Sequence, residues 1–162
     1  AIVNGRPQVV TLRDCLSEFL DHRRTVVTRR CRFDLDKAVQ RREIVEGLGV
    51  AIDAIDRIIA IIRSSNDPET ARDALMAEPL TGLRGFFERC GRPAAEIERA
   101  AQGPYRLSER QAKAILDMRL QRLTGLEREK IEGEYRALCA EIETLEVILN
   151  DPARLAAVIR EE

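Results

Sequence analysis

The chain has 162 residues and a mass of 18.3 kDa, with 27 Lys and Arg against 28 Asp and Glu, a net charge of -1 and a pI near 6.1. A hydrophobic fraction of 44% beside a charged fraction of 34% suits a chain with a core and excludes a wholly disordered one. No run approaches the roughly 18 to 20 consecutive apolar residues of a membrane span, no signal segment opens the sequence, and the balanced charge argues against a nonspecific nucleic-acid binder.

In residues 1–10, Ile2-Val3-Asn4-Gly5-Arg6-Pro7 reads as two short β runs about an Asn-Gly turn. A lone hairpin is marginal in water, so this end reads as the remnant of a larger sheet-containing domain. Thr11 then serves as an N-cap with Asp14 at the third helical position, and one long helix is expected over residues 11–63. Its apolar positions Cys31, Leu35, Ala38, Val45, Leu48, Ile52, Ile55, Ile59 and Ile62 step by three and four, with Arg42 filling the one gap. That spacing is a coiled-coil seam, and a helix so long needs a partner. Gly47 and Gly49, each costing about 1 kcal/mol relative to Ala in a helix, mark a bend or the close approach of another helix.

Residues 64–123 predict a small helical knob. Pro68 starts a helix of about two turns that includes Glu69 to Met76, and Gly82, Gly85, Gly91, Pro93, Gly103 and Pro104 break up the stretch after it. Ser108 and Gln111 form a capping box, Ala112, Ile115, Leu116, Leu120 and Leu123 give the next helix a broad apolar face, and Leu116, Met118, Leu120 and Leu123 cannot all face one side of a single straight helix. The knob's own core or a shared surface can take those residues. Residues 124–150 predict the returning helix, opened by the capping box Thr124 to Glu127, with a second seam at Ile131, Tyr135, Leu138, Ile142, Leu145 and Leu149. Asp151-Pro152 starts a further helix over residues 151–162. The expected fold is all-α: a long antiparallel coiled-coil hairpin with a helical globular knob at its tip, preceded by a short β-hairpin.

Catalytic chemistry finds little support in these residues. Cys15, Cys31, Cys90 and Cys139 form no C-x-x-C pair and His22 is the only histidine, so neither a zinc site nor a disulfide framework is indicated and free thiols in a reducing cytoplasm are expected. Asp34-Leu35-Asp36 diverges by about 200° on a helix and makes a poor metal site. Tyr135 falls on the seam, Tyr105 follows Gly103-Pro104 in a loop, and neither has a base beside it in sequence. The charge is uneven, with residues 1–63 carrying 12 basic against 9 acidic side chains and the remainder 15 against 19. Arg23, Arg24, Arg29, Arg30 and Arg32 fall in eleven residues without an acid, a collar that could face phosphates or form a solvated, paired helix surface.

The runs Leu107-Ser108-Glu109-Arg110-Gln111-Ala112-Lys113-Ala114-Ile115-Leu116-Asp117-Met118-Arg119-Leu120-Gln121-Arg122-Leu123-Thr124-Gly125-Leu126-Glu127 and His22-Arg23-Arg24-Thr25-Val26-Val27-Thr28-Arg29-Arg30 resemble the A subunit of bacterial DNA gyrase, a type IIA topoisomerase. The resemblance continues through Ile44-Val45-Glu46-Gly47-Leu48 to Ile159-Arg160-Glu161-Glu162, and Leu123-Thr124-Gly125-Leu126-Glu127 leans toward gyrase over topoisomerase IV. It implies the coiled-coil arm and dimerisation domain of the exit gate, or C-gate, with the homodimer contact carried onto Leu116, Met118, Arg119, Leu120 and Leu123. It also implies a parent that cuts one duplex, passes a second, reseals and introduces negative supercoils, with ATP and Mg2+ bound through a B subunit in an A2B2 complex on double-stranded DNA. No cofactor is expected in this stretch. The family's cleavage tyrosine directly follows an arginine, and no Arg-Tyr dipeptide occurs here, so no catalysis is expected of this chain alone. The rival readings are a topoisomerase IV A-type subunit, an independent coiled-coil adaptor, and a DNA-binding module using the arginine collar.

Overall fold

The computed structural model describes residues 2–3, 6–7, 11–118 and 125–161. Strands β1 (Ile2–Val3) and β2 (Arg6–Pro7) pair antiparallel, Ile2 opposite Pro7, but two residues each make them a trace of the expected hairpin in an otherwise helical chain. Helix α1 (Leu12–Asp53) opens as its sequence predicts: Asp14 N–H donates to Thr11 Oγ1 and Thr11 N–H to Asp14 Oδ2, both at 3.2 Å. Helix α7 (Gly125–Asn150) returns, and α8 (Pro152–Glu161) follows after Asp151, whose Oδ1 accepts from Ala153 N–H at 2.9 Å. The Thr124 capping residue lies outside the described residues.

Two compact units divide the chain, residues 1–37 with 142–162 and residues 38–141. In the first, Val27 and Cys31 of α1 bury against Leu145 of α7, with Leu35, Ile148 and Leu149 and the α8 residues Leu155, Val158 and Ile159 packed around them. Cys31 and Leu145 are positions of the two predicted seams. In the second unit α1 and α7 run antiparallel, since Arg41 pairs with Glu134 at 2.6 Å while Asp53, further along α1, pairs with Arg128, earlier on α7.

Helices α2 (Ile55–Ser64), α3 (Pro68–Ala77), α4 (Leu83–Arg89), α5 (Ala94–Ala100) and α6 (Glu109–Asp117) complete the second unit. Its core gathers Val45, Leu48 and Ile52 of α1 with Leu75, Leu83, Phe86, Phe87, Ile97, Ile115, Ile131 and Tyr135. Phe86 meets Tyr135 edge-on at 4.9 Å and Phe87 stacks on it at 5.9 Å. Gly49 explains itself here: a Cβ would lie 2.1 Å from Phe86 Cε2, so only glycine lets the ring reach α1.

Three expectations change. The single helix over residues 11–63 is two, because Ala54 leaves helical geometry (φ -115°, ψ 32°) between α1 and α2. The cause is tertiary: Arg89 and Arg128 hold the Asp53 carboxylate, and Gly82 approaches so closely that a Cβ would lie 3.0 Å from Asp53 Cβ. The phase of the seam shifts at the break, so Ile58 and Ile61 are buried where Ile59 and Ile62 were expected, and Ile55, Ile59 and Ile62 are half-buried. Finally, the helix expected to carry apolar residues as far as Leu123 ends at Asp117, where Met118 turns extended (ψ 134°).

Candidate functional site

Helix α6 is placed by its first turn. Gln111 N–H donates to Ser108 Oγ at 3.3 Å and Ser108 N–H to Gln111 Oε1 at 2.8 Å, the predicted capping box. Ala112 and Ile115 are buried, while Leu116 and Met118 are half-buried. Leu116 lines an open groove of about 460 Å³ with Pro68, Glu69 and Arg72 of α3 and Lys113 and Asp117 of α6. Charges lace its walls: Glu109 meets Lys113 at 3.2 Å and Arg72 at 3.6 Å, and the Lys113 ammonium holds the Glu109 carboxyl below its ordinary range. Of the predicted contact residues the structure brings Leu116 and Met118 to the end of α6, whereas Arg119, Leu120 and Leu123 lie outside the described residues.

A polar network that the sequence reading missed lies under α6. Gln111 is buried to 2% exposure, and its Nε2 donates to Glu43 O of α1 at 2.7 Å and to Tyr105 Oη at 2.6 Å. Tyr105 O–H donates to Glu46 Oε2 at 2.8 Å, and Tyr135 O–H of α7 donates to Glu46 Oε1 at 3.3 Å. Burial raises the Glu46 carboxyl above its ordinary range, opposed by the two tyrosine hydroxyls, and burial beside Glu46 pushes both tyrosines well above theirs. Tyr105 is further fixed by a backbone bridge, its N–H and C=O each bonded to Leu80 at 2.8 Å. Both tyrosines are thus structural, and the capping box was the only trace of the network in the sequence.

On α1 in the first unit, Arg24, Arg29, Arg30 and Arg32 are exposed and Arg23 is half-buried, with Arg23 and Arg30 engaging neighbouring groups. The same stretch exposes large apolar side chains: Leu12 (78%), Leu16, Phe19 (60%), Leu20, Val26 and Phe33 (58%). Leu12, Leu16, Phe19, Val26 and Phe33 follow three-and-four spacing, interleaved with Arg23 and Arg30. The predicted seam, begun at Cys31, overlooked this stripe although the spacing was legible. Lys37 covers one end, its Nζ 4.6 Å from the Phe33 ring centre.

Among the described residues no cluster of three His, Cys, Asp or Glu side chains is placed to hold a metal ion, and no helix is long and apolar enough to cross a membrane. The family of DNA gyrase/topoisomerase IV A subunits matches residues 1–162. The DNA gyrase A subunit of Staphylococcus aureus (strain NCTC 8325 / PS 47) is 43% identical over all 162 residues, and that of Halalkalibacterium halodurans is 44% identical over the same length. The chain spans 15% and 16% of the length of these curated relatives.

Proposed function

The chain belongs to the family of DNA gyrase/topoisomerase IV A subunits, and from that premise we propose that it is the exit-gate region of a gyrase A subunit, whose own activity is to dimerise. The observation that carries this reading is similarity to gyrase A along the entire chain, and the partly exposed Leu116 and Met118 at the end of α6 support the place of the contact. A gate must hold while DNA is cut and still part briefly, so a compact apolar contact suits it better than a large permanent interface. Arg119, Leu120 and Leu123 extend the contact in sequence.

In the parent, a cytoplasmic enzyme, two A subunits and two B subunits act on double-stranded DNA. The B subunits supply the ATP and Mg2+ chemistry, and a cleavage tyrosine elsewhere in the A subunit cuts the duplex. Tyr105 and Tyr135 are not candidates for that role, being bound to Glu46. The exposed arginines of α1 line the cavity that holds the passed duplex, so charge reversal at Arg24 and Arg29 in the full-length enzyme impairs strand passage; unchanged activity removes them from that role. The names of the relatives favour gyrase over topoisomerase IV.

Sedimentation equilibrium tests the contact. A mass approaching twice 18.3 kDa, returned to the monomer by Leu116→Asp, is the expected result. A strict monomer at high concentration overturns the reading that this stretch dimerises by itself.

A further inference from the structure

Gln111 is a buried polar residue in the second unit's core, and every polar atom of its side chain is used. Its Oε1 holds the Ser108 N–H of its own cap, while Nε2 reaches across to the Glu43 carbonyl and to Tyr105, which in turn reaches Glu46. The partners come from three places: α1 gives Glu43 and Glu46, the segment before α6 gives Tyr105 and Ser108, and α7 adds Tyr135 through Glu46. Gly47 forms the seat on α1, since a Cβ there would lie 2.6 Å from Gln111 Cγ.

We propose that Gln111, Tyr105 and Glu46 form a latch that fixes α6 on α1, and that they are positioning residues for the dimer contact at Leu116 and Met118. The inference rests on the dimer reading above. Leu116 follows Gln111 by about one and a half turns, roughly 7.5 Å along the axis, so a tilt of the first turn displaces it. Both copies of a symmetric dimer need a seated α6. The apparent Kd therefore rises as the inverse square of the latched fraction.

The latch also carries a proton-sensitive group. Glu46 is held by hydroxyls, with Arg42 and Glu43 of α1, Tyr105 ahead of α6 and Tyr135 of α7 facing it; Arg110 of α6 lies 3.9 Å from Glu43, and Arg92 and Cys139 act on Tyr135. A carboxylate in such a place loses hydration that it regains when the latch opens. Its carboxyl is raised in the latched state, so the latched form is favoured fully below the ordinary carboxylate range, and that advantage is lost as pH rises through the raised value. Dimerisation should tighten as pH falls through the raised Glu46 range, and Glu46→Gln should remove that dependence.

The test is sedimentation equilibrium of the 162-residue chain, wild type beside Gln111→Leu, Tyr105→Phe and Glu46→Gln, with helicity monitored and tyrosine emission read at each pH. Tyr105 and Tyr135 are the only tyrosines and there is no Trp, so the emission comes from the latch alone. Gln111→Leu and Tyr105→Phe should each raise the dimer Kd by about tenfold with helicity intact, the rise that follows when the latched fraction falls to about a third. Should Gln111→Leu misfold, Tyr105→Phe carries the test. Glu46→Gln should dimerise with the same affinity across the pH series, as tightly as the wild type does at the acidic end of its pH dependence. A wild-type dimer that none of the three variants weakens or makes pH-independent overturns this inference alone, and a wild-type monomer overturns it together with the dimer reading.

Discussion

Gly47 and Gln111 are fitted to each other: the side chain of Gln111 fills the space a Cβ at Gly47 would need, with Cγ at 2.6 Å and Cβ at 2.8 Å from that position. On an isolated helix an alanine at residue 47 would gain about 1 kcal/mol. Here the close approach decides the sign.

Gly47→Ala should therefore lower stability by about 1 to 3 kcal/mol, the usual cost of overpacking. Gly49→Ala should cost more, because its clash at 2.1 Å is with the Phe86 ring, which is held against Phe87 and Tyr135. Urea denaturation measures both, and a midpoint at or above that of the wild type would show that α6 and α4 are not seated as described.

Thiol reactivity separates the four cysteines. Cys15 is exposed while Cys31, Cys90 and Cys139 are buried, and burial pushes the Cys90 thiol up to about 11. A disulfide reagent at pH 8 should titrate one thiol quickly and the other three only on unfolding. Fast reaction of a second thiol in the native protein contradicts the packing of the two cores.

Arg89 bridges Asp53 and Glu132 at 2.6 Å each, so Arg89→Ala removes the guanidinium that the two carboxylates share and leaves Asp53 with Arg128 at 3.3 Å. A loss of about 1 to 3 kcal/mol is expected, toward the low end because Arg89 is partly open to solvent. Arg89→Lys should recover only part, since one ammonium cannot reproduce the fork. Thermal melts of the three proteins test this ranking.

Alkaline titration followed at the phenolate absorbance reads Tyr105 and Tyr135. Both are raised in the folded chain, so the neutral hydroxyls favour folding, and stability falls as pH rises through the ordinary tyrosine value of about 10. Phenolate should appear together with loss of helicity. Smooth ionisation near pH 10 in a helical protein would mean that the hydroxyls are not bound to Glu46.

The local signals in the sequence translated directly into structure. Thr11 with Asp14 and Ser108 with Gln111 make the bonds their spacing implies, because a capping box is complete within four residues. The second seam is buried from Ile131 to Leu145, since that periodicity belongs to one uninterrupted helix. The break at Ala54 was not legible, for no glycine or proline marks it and its cause lies in Arg89, Arg128 and Gly82. Gln111 shows the same limit. Its half of the capping box is local, while the bonds to Glu43 and Tyr105 that make it a core residue depend on how α6 meets α1.

The pairing of Cys31 with Leu145 carries a consequence for how the chain reaches this state. Those residues sit near opposite ends of the sequence, and joining them in an unfolded chain means closing a very long loop. The contacts of α3 with α6 and of α4 with α5 span far shorter stretches. Folding of residues 38–141 first would shorten the effective loop between the ends before Val27 and Cys31 meet Leu145. The terminal pairing is then the late event, closing onto a loop that the folded residues have already shortened.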